Sequence, residues 1–127
     1  MISRSTFLHL RIPFSVFLLP IYLFALSISN NPIFENVLLV FLILHFLIYP
    51  ASNGYNSYFD KDEGSIGGLK NPPKVSKQLY YISLVLDILG ILLALYINWQ
   101  FAMMLLIYGL VSKAYSHPSI RLKKYRV

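Results

Sequence analysis

Four long apolar runs alternate with polar breaks along the chain, at about residues 12–29, 34–49, 79–97 and 101–115. Each approaches the ~20 apolar residues that a membrane-crossing helix requires. The pattern predicts an all-α, polytopic transmembrane bundle of four spans. The breaks are unequal. Asn30-Asn31-Pro32 and Asn98-Trp99-Gln100 are short and join antiparallel neighbours, whereas the link from about 50 to 78 is long and polar. The first run exceeds the ~7–15 residues of a signal-peptide core and lacks a small-x-small cleavage site, so it reads as a retained span.

Prolines and glycines punctuate these elements. Pro13 suits a first helical turn, where a missing N–H costs nothing. Pro20 falls inside the first span and is expected to kink it, and Pro50 is expected to bend the second helix near its cytoplasmic end. Asn71-Pro72-Pro73 blocks helix continuation, Ser76 is placed to cap the third span, and Gly64, Gly67 and Gly68 make the middle of the link pliable. If the second helix continues from Glu35 to Asp60 it is roughly 39 Å long at 1.5 Å per residue. That exceeds a ~30 Å hydrocarbon core, so its end is expected at headgroup level.

Composition removes the main alternatives. The chain of 127 residues is 57% hydrophobic and only 13% charged, with mean hydropathy +0.61. A soluble domain carries about 25% charged residues, and this chain cannot clothe a globule of its size. A disordered chain needs the opposite balance. With no cysteine there is no disulfide framework, thiolate zinc cluster or thiol nucleophile. All eleven Lys and Arg lie before the first span, in the long link, or at and after the end of the fourth. None lies in either short connection. That asymmetry predicts that both termini and the long link are cytoplasmic. Attraction to anionic lipid accounts for the net charge of +6 without nucleic acid.

The chemistry is concentrated in Ser52-Asn53-Gly54-Tyr55-Asn56-Ser57-Tyr58-Phe59-Asp60-Lys61-Asp62-Glu63-Gly64, which holds three of the five acids. If the second helix resumes after Pro50, Asn53, Asn56, Asp60 and Glu63 recur at spacings of three and four and share a face. The result is a column of oxygen donors at the mouth of a bundle. Such donors suit Mg²⁺, which takes one or two carboxylates and leaves its other positions to water and substrate phosphate. Lys70, Arg121 and Lys123 add the cations that a metal-bridged diphosphate would need. The same residues read equally well as a solvated acidic turn after a helix.

The stretch from Asn53 to Lys70 resembles the first acidic motif of the UbiA-type intramembrane prenyltransferases, Asn-Asp-x-x-Asp-x-x-x-Asp at the cytoplasmic end of the second helix. Tyr115-Ser-His-Pro-Ser-Ile-Arg121-Leu-Lys123-Lys124 is similar to the Tyr-Ser-x-Pro-Pro-x-Arg-Leu-Lys pattern after that family's fourth helix. Arg11 matches an arginine entering the first. Ser57, Gly64 and Ser119 depart from the patterns, so that Asp62 or Glu63 would replace the last motif acid. The family's enzymes carry further helices and a second acidic motif. Residues 1–127 therefore resemble a partial domain, the N-terminal half, and the C-terminal half becomes an expected partner. The resemblance implies Mg²⁺-dependent transfer of a polyprenyl group from prenyl diphosphate to an aromatic or lipid-pathway acceptor, as in quinone biosynthesis. It implies Asn56 and Asp60 as catalytic metal ligands with Asp62 and Glu63, and Arg11, Lys70, Tyr115, Arg121 and Lys123 as substrate-binding residues. The abundant Tyr and Phe would line a prenyl cavity, although interfacial belts and lipid-facing packing account for most of them.

Three other residues stand out. Asp87, in mid-span, reads as a protonated acid making one interhelical hydrogen bond in preference to a functional group. Lys113 is placed to snorkel to the cytoplasmic surface. His45 reads as a packing residue with a hydrogen bond, and His9 and His117 as isolated interfacial residues. Two readings compete with the enzyme: a non-catalytic small membrane protein, remnant or assembly partner, and a four-span transporter using Asp87.

Overall fold

The computed structural model describes residues 1–61 and 70–120, and among these every regular element is helical. Chain order is α1 (Arg4–Leu10), a tight 3₁₀ segment (Ile12–Leu18), α2 (Leu19–Ser27), α3 (Phe34–Leu42), a π segment (Ile43–Ile48), α4 (Tyr49–Asp60), α5 (Lys77–Ile97) and α6 (Trp99–Ser116). Three continuous stretches are long and apolar enough to cross a membrane: Arg4–Ser27, Phe34–Asp60 and Lys77–Ile97. The fourth, α6, has 18 residues, about 27 Å of helix. Large apolar side chains such as Phe17, Phe24, Phe34, Tyr96 and Met104 face outward around the bundle, an apolar surface that suits lipid and not water.

The first helix starts earlier than its apolar run. Ser3 caps α1 by accepting from the Thr6 N–H at 3.1 Å. Thr6, His9 and Leu10 are buried. The helix stops at Arg11, whose backbone is left-handed (φ 48°), because Pro13 has no N–H to give the His9 carbonyl and its ring collides with that carbonyl. Pro20 acts one turn before its own position. It cannot bond the Val16 carbonyl, so the Leu19 N–H bonds it instead and winds Ile12–Leu18 tightly. Pro20 then opens α2.

Pro50 works in a comparable way. The second helix runs through to Asp60 and is underwound into a π turn just before the proline. The Tyr49 N–H bonds the Leu44 carbonyl five residues back, relieving the clash that Pro50 would make in a strict α-helix. The α5–α6 connection is tighter than its sequence suggested. Asn98 alone separates the helices, and its side chain caps α6 by accepting from the Phe101 N–H at 2.7 Å. Trp99 and Gln100, expected in the turn, are helical. Ser76 occupies the N-cap of α5 without a side-chain capping bond.

Packing is closest between α4 and α5 and between α5 and α6, with α1 laid against α4. Ile43, Ile48, Ala94, Ala102 and Leu105 form the apolar core. Gly54 lets α4 touch its neighbours: a Cβ there would collide with Ser83 Oγ and lie 3.0 Å from Leu10 Cδ2. Asp87 is paired directly with Lys113, which also donates to the Gly109 carbonyl at 3.4 Å. Lys113 thus turns inward, not to the surface. Helical side chains lean toward the N-terminus of their own helix, which for α6 is the direction of Asp87. Nor is His9 isolated. It is buried, and its Nε2 donates to the Pro73 carbonyl at 2.7 Å.

Candidate functional site

The site grows from the last two turns of α4. Asn53, Asn56 and Asp60 lie one helical turn apart each, as the spacing required. Two neighbours hold that face. Asn53 Nδ2 donates to the Leu10 carbonyl at 3.1 Å, which fixes α4 against the end of α1 beside Arg11. Ser116 Oγ donates to Asn56 Oδ1 at 2.7 Å, and Ser52 Oγ is bonded to Ser112 Oγ one turn earlier. The two rungs run in the same direction on both helices, so α4 and α6 are parallel and reach the same end of the bundle. Sequence reasoning missed this ladder. Its signal was the matched spacing of four between Ser52 and Asn56 and between Ser112 and Ser116.

Asp60 is the last residue of α4, and Lys61, left-handed at φ 51°, closes the helix by donating its N–H to the Ser57 carbonyl. A carboxylate at a helix C-terminus faces the negative end of the helix dipole. Local helix energetics therefore oppose Asp60 where it stands, and a cation there would reverse the sign. Ser57 is 2% exposed, and its Oγ has no hydrogen-bond partner among the described residues.

Arg11 sits at the left-handed break between α1 and the 3₁₀ segment, with its guanidinium carbon 5.4 Å from the centre of the Phe14 ring. Tyr115 is half-exposed on α6, next to Ser116. The ends of α1, α4 and α6 thus bring Arg11, Asn56, Asp60 and Tyr115 to one end of the bundle. Lys70 is exposed at the far side of the link. Asp62, Glu63, Arg121 and Lys123 lie outside the described residues.

An aromatic cluster adjoins this end. Tyr55 and Phe59 rings lie 4.9 Å apart, Tyr58 and Tyr80 5.4 Å, and Phe59 and His117 5.4 Å. Lys113 Nζ stands 5.7 Å from the Tyr55 ring centre. His117 is thus part of the cluster and not isolated. Tyr55, Tyr58 and Phe59 recur at three and four along α4, a helical stripe visible in the sequence.

The donor chemistry fits a magnesium ion. An amide oxygen and a carboxylate are hard ligands of the kind Mg²⁺ takes, and Asn56 Oδ1 accepts from Ser116. Among the described residues no group of three His, Cys, Asp or Glu comes together.

Among curated proteins and among solved structures, nothing matches the chain. A comparison with family models matches UbiA, the UbiA prenyltransferase family, over residues 17–127, a range that contains α2 to α6 and both quoted motifs. The chain is an integral membrane protein that belongs to the UbiA prenyltransferase family.

Proposed function

We propose that the chain provides the first metal and diphosphate site of a Mg²⁺-dependent polyprenyl transfer to an aromatic or lipid-pathway acceptor. The observation that carries this reading is Asp60 at the negative end of α4, one turn from Asn56 and at the same end of the bundle as Arg11. The metal, when bound, would offset the charge that develops on the departing diphosphate. Asn56 and Asp60 would hold it from α4, with Asp62 or Glu63. Ser116 orients the Asn56 amide so that its oxygen stays on the ligand face. Arg11, Lys70, Arg121 and Lys123 would take the diphosphate oxygens, and Tyr115 would border the pocket. A segment bearing a second Asp-x-x-x-Asp motif would supply the remaining acidic ligands for turnover. Both termini and the 61–76 link would face the cytoplasm, following the basic residues.

The test uses the chain in nanodiscs with Mg²⁺ and inorganic pyrophosphate. Wild type should bind pyrophosphate only with Mg²⁺. Asp60→Asn should lose at least about tenfold in affinity, since a charged ligand is removed, while helix content stays the same. Wild-type binding by Asp60→Asn at limiting Mg²⁺ would make the acidic stretch a solvated turn. Because the chain has no native cysteine, Asn31→Cys and Lys70→Cys report orientation cleanly. An impermeant thiol reagent on intact cells should label the first and spare the second.

A further inference from the structure

The polar side chains of α1 are spent on one neighbour, the stretch that leads into α5. Ser5 Oγ donates to the Lys74 carbonyl at 2.6 Å, and His9 Nε2 to the Pro73 carbonyl at 2.7 Å. Gln78, in the first turn of α5, holds the chain ahead of α1. Its Oε1 accepts from the Ser3 N–H at 2.7 Å and from Thr6 Oγ1 at 2.9 Å, and its Nε2 donates to the Met1 carbonyl at 2.8 Å. Residues 1–9 are thus strapped across residues 73–78. Every group in these bonds is an amide, hydroxyl, imidazole or carbonyl, so the strap neutralises no charge.

It nevertheless gathers three cations. Arg4 adjoins Ser5, Lys74 supplies the carbonyl that Ser5 holds, and Lys77 adjoins Gln78. All three are exposed, and none has an ion-pair partner among the described residues. Like charges fixed side by side repel, and an anion shared between them turns that cost into attraction. Arg4 and Lys77 are also the first residues of two stretches long and apolar enough to cross a membrane, Arg4–Ser27 and Lys77–Ile97. The patch therefore stands at one membrane edge. Phe7 follows Arg4 by three residues and shares its outward face, and both Phe7 and Ile2 are exposed. Cations at headgroup level with apolar side chains beside them match a phospholipid: charge against the phosphate, hydrocarbon against the upper acyl chain.

We propose that the strap of residues 1–9 on residues 73–78 is a binding surface for an anionic phospholipid headgroup, with Arg4, Lys74 and Lys77 on the phosphate and Ile2 and Phe7 in the adjoining hydrocarbon. It uses none of the residues of the proposed diphosphate site and does not depend on that reading. Neutral bonds that fix three cations together distinguish this surface from the diffuse attraction that any basic chain has for anionic lipid.

The test is native mass spectrometry of the full chain released from dodecyl maltoside, with dioleoyl phosphatidylglycerol and dioleoyl phosphatidylcholine added in equal amounts. Each basic residue near a membrane surface is worth about fivefold. The wild type should therefore prefer phosphatidylglycerol by at least about tenfold in the first lipid bound. The triple variant Arg4→Gln, Lys74→Gln, Lys77→Gln should fall to near parity with unchanged helix content. Gln78→Leu keeps every charge but releases residues 1–6, and it should lower the preference by about fivefold. Ser5→Ala, which frees the Lys74 carbonyl, is a second variant of the same kind and should also lower it. The deacylated head, glycerophosphoglycerol, should fail to displace the lipid. Parity in the wild type, a preference that survives the triple variant, one that neither Gln78→Leu nor Ser5→Ala lowers, or displacement by glycerophosphoglycerol would each overturn the proposal.

Discussion

Asp87 and Lys113 give the sharpest test of how the bundle tolerates charge. Asp87 is the middle residue of α5, its side chain 10% exposed, and Lys113 reaches it from α6 with a side chain 25% exposed. Each member of the pair has a close neighbour. A Cβ on Gly109 would lie 2.7 Å from Asp87 Oδ2, and the Tyr55 ring stands beside the ammonium. Removing one member strands the other charge in a dry environment, which costs about 3–5 kcal/mol for a fully buried pair. Lys113 retains some access to solvent, so about 2–3 kcal/mol is expected for Asp87→Leu. Lys113→Leu strands the less exposed partner and should cost about the same or slightly more. The double variant leaves no charge to desolvate and should fall within about 1 kcal/mol of wild type. Unfolding by SDS titration from mixed micelles, followed by circular dichroism at 222 nm, measures all four proteins. The coupling energy should exceed either single loss and approach their sum. If the two losses simply add in the double variant, the pair is not an energetic unit, and the reasoning about stranded charge fails.

Two further outcomes follow from the packing. Gly54→Ala should destabilise the chain by about 1–3 kcal/mol through overpacking, and Ser83→Ala should recover part of it by removing the hydroxyl that the new Cβ meets; the same SDS titration reads both. Asn98→Ala removes the side-chain cap at the start of α6 and should cost about 1 kcal/mol, with faster hydrogen exchange at the Phe101 amide as its local signature.

The four spans were legible because apolar run length is a one-dimensional property that lipid reads directly. The face shared by Asn53, Asn56 and Asp60 was legible for a similar reason, since a spacing of three and four fixes neighbours on one helix. What sequence did not disclose depends on partners from other elements. Lys113 looked like a surface lysine because its distance from the helix end was visible and the position of Asp87 across the interface was not. His9 looked isolated because the Pro73 carbonyl, 64 residues away, is a backbone group that carries no sequence signature. The prolines were recognised as breaks, yet the form of each break was not: Pro20 tightens the turn before it, whereas Pro50 widens it.

That difference has a consequence for the site. A π turn adds one residue to a helix without ending it, so everything after it rotates by about 100° relative to an unbroken α-helix. The apolar residues Ile43 and Ile48 face the core before the rotation is complete, and the polar face of α4 follows after it. Without the added residue, Asn56 would turn away from Ser116 and Asn53 away from the Leu10 carbonyl. Pro50 is what makes the π turn the cheaper path, because a strict α-helix would leave its ring against the Phe46 carbonyl. The proline therefore sets the phase of the polar face ten residues before Asp60, and the same turn frees the His45 carbonyl that Ser15 takes up. One proline at one position thus links the polar face of α4 to the Ser15–His45 contact through backbone geometry.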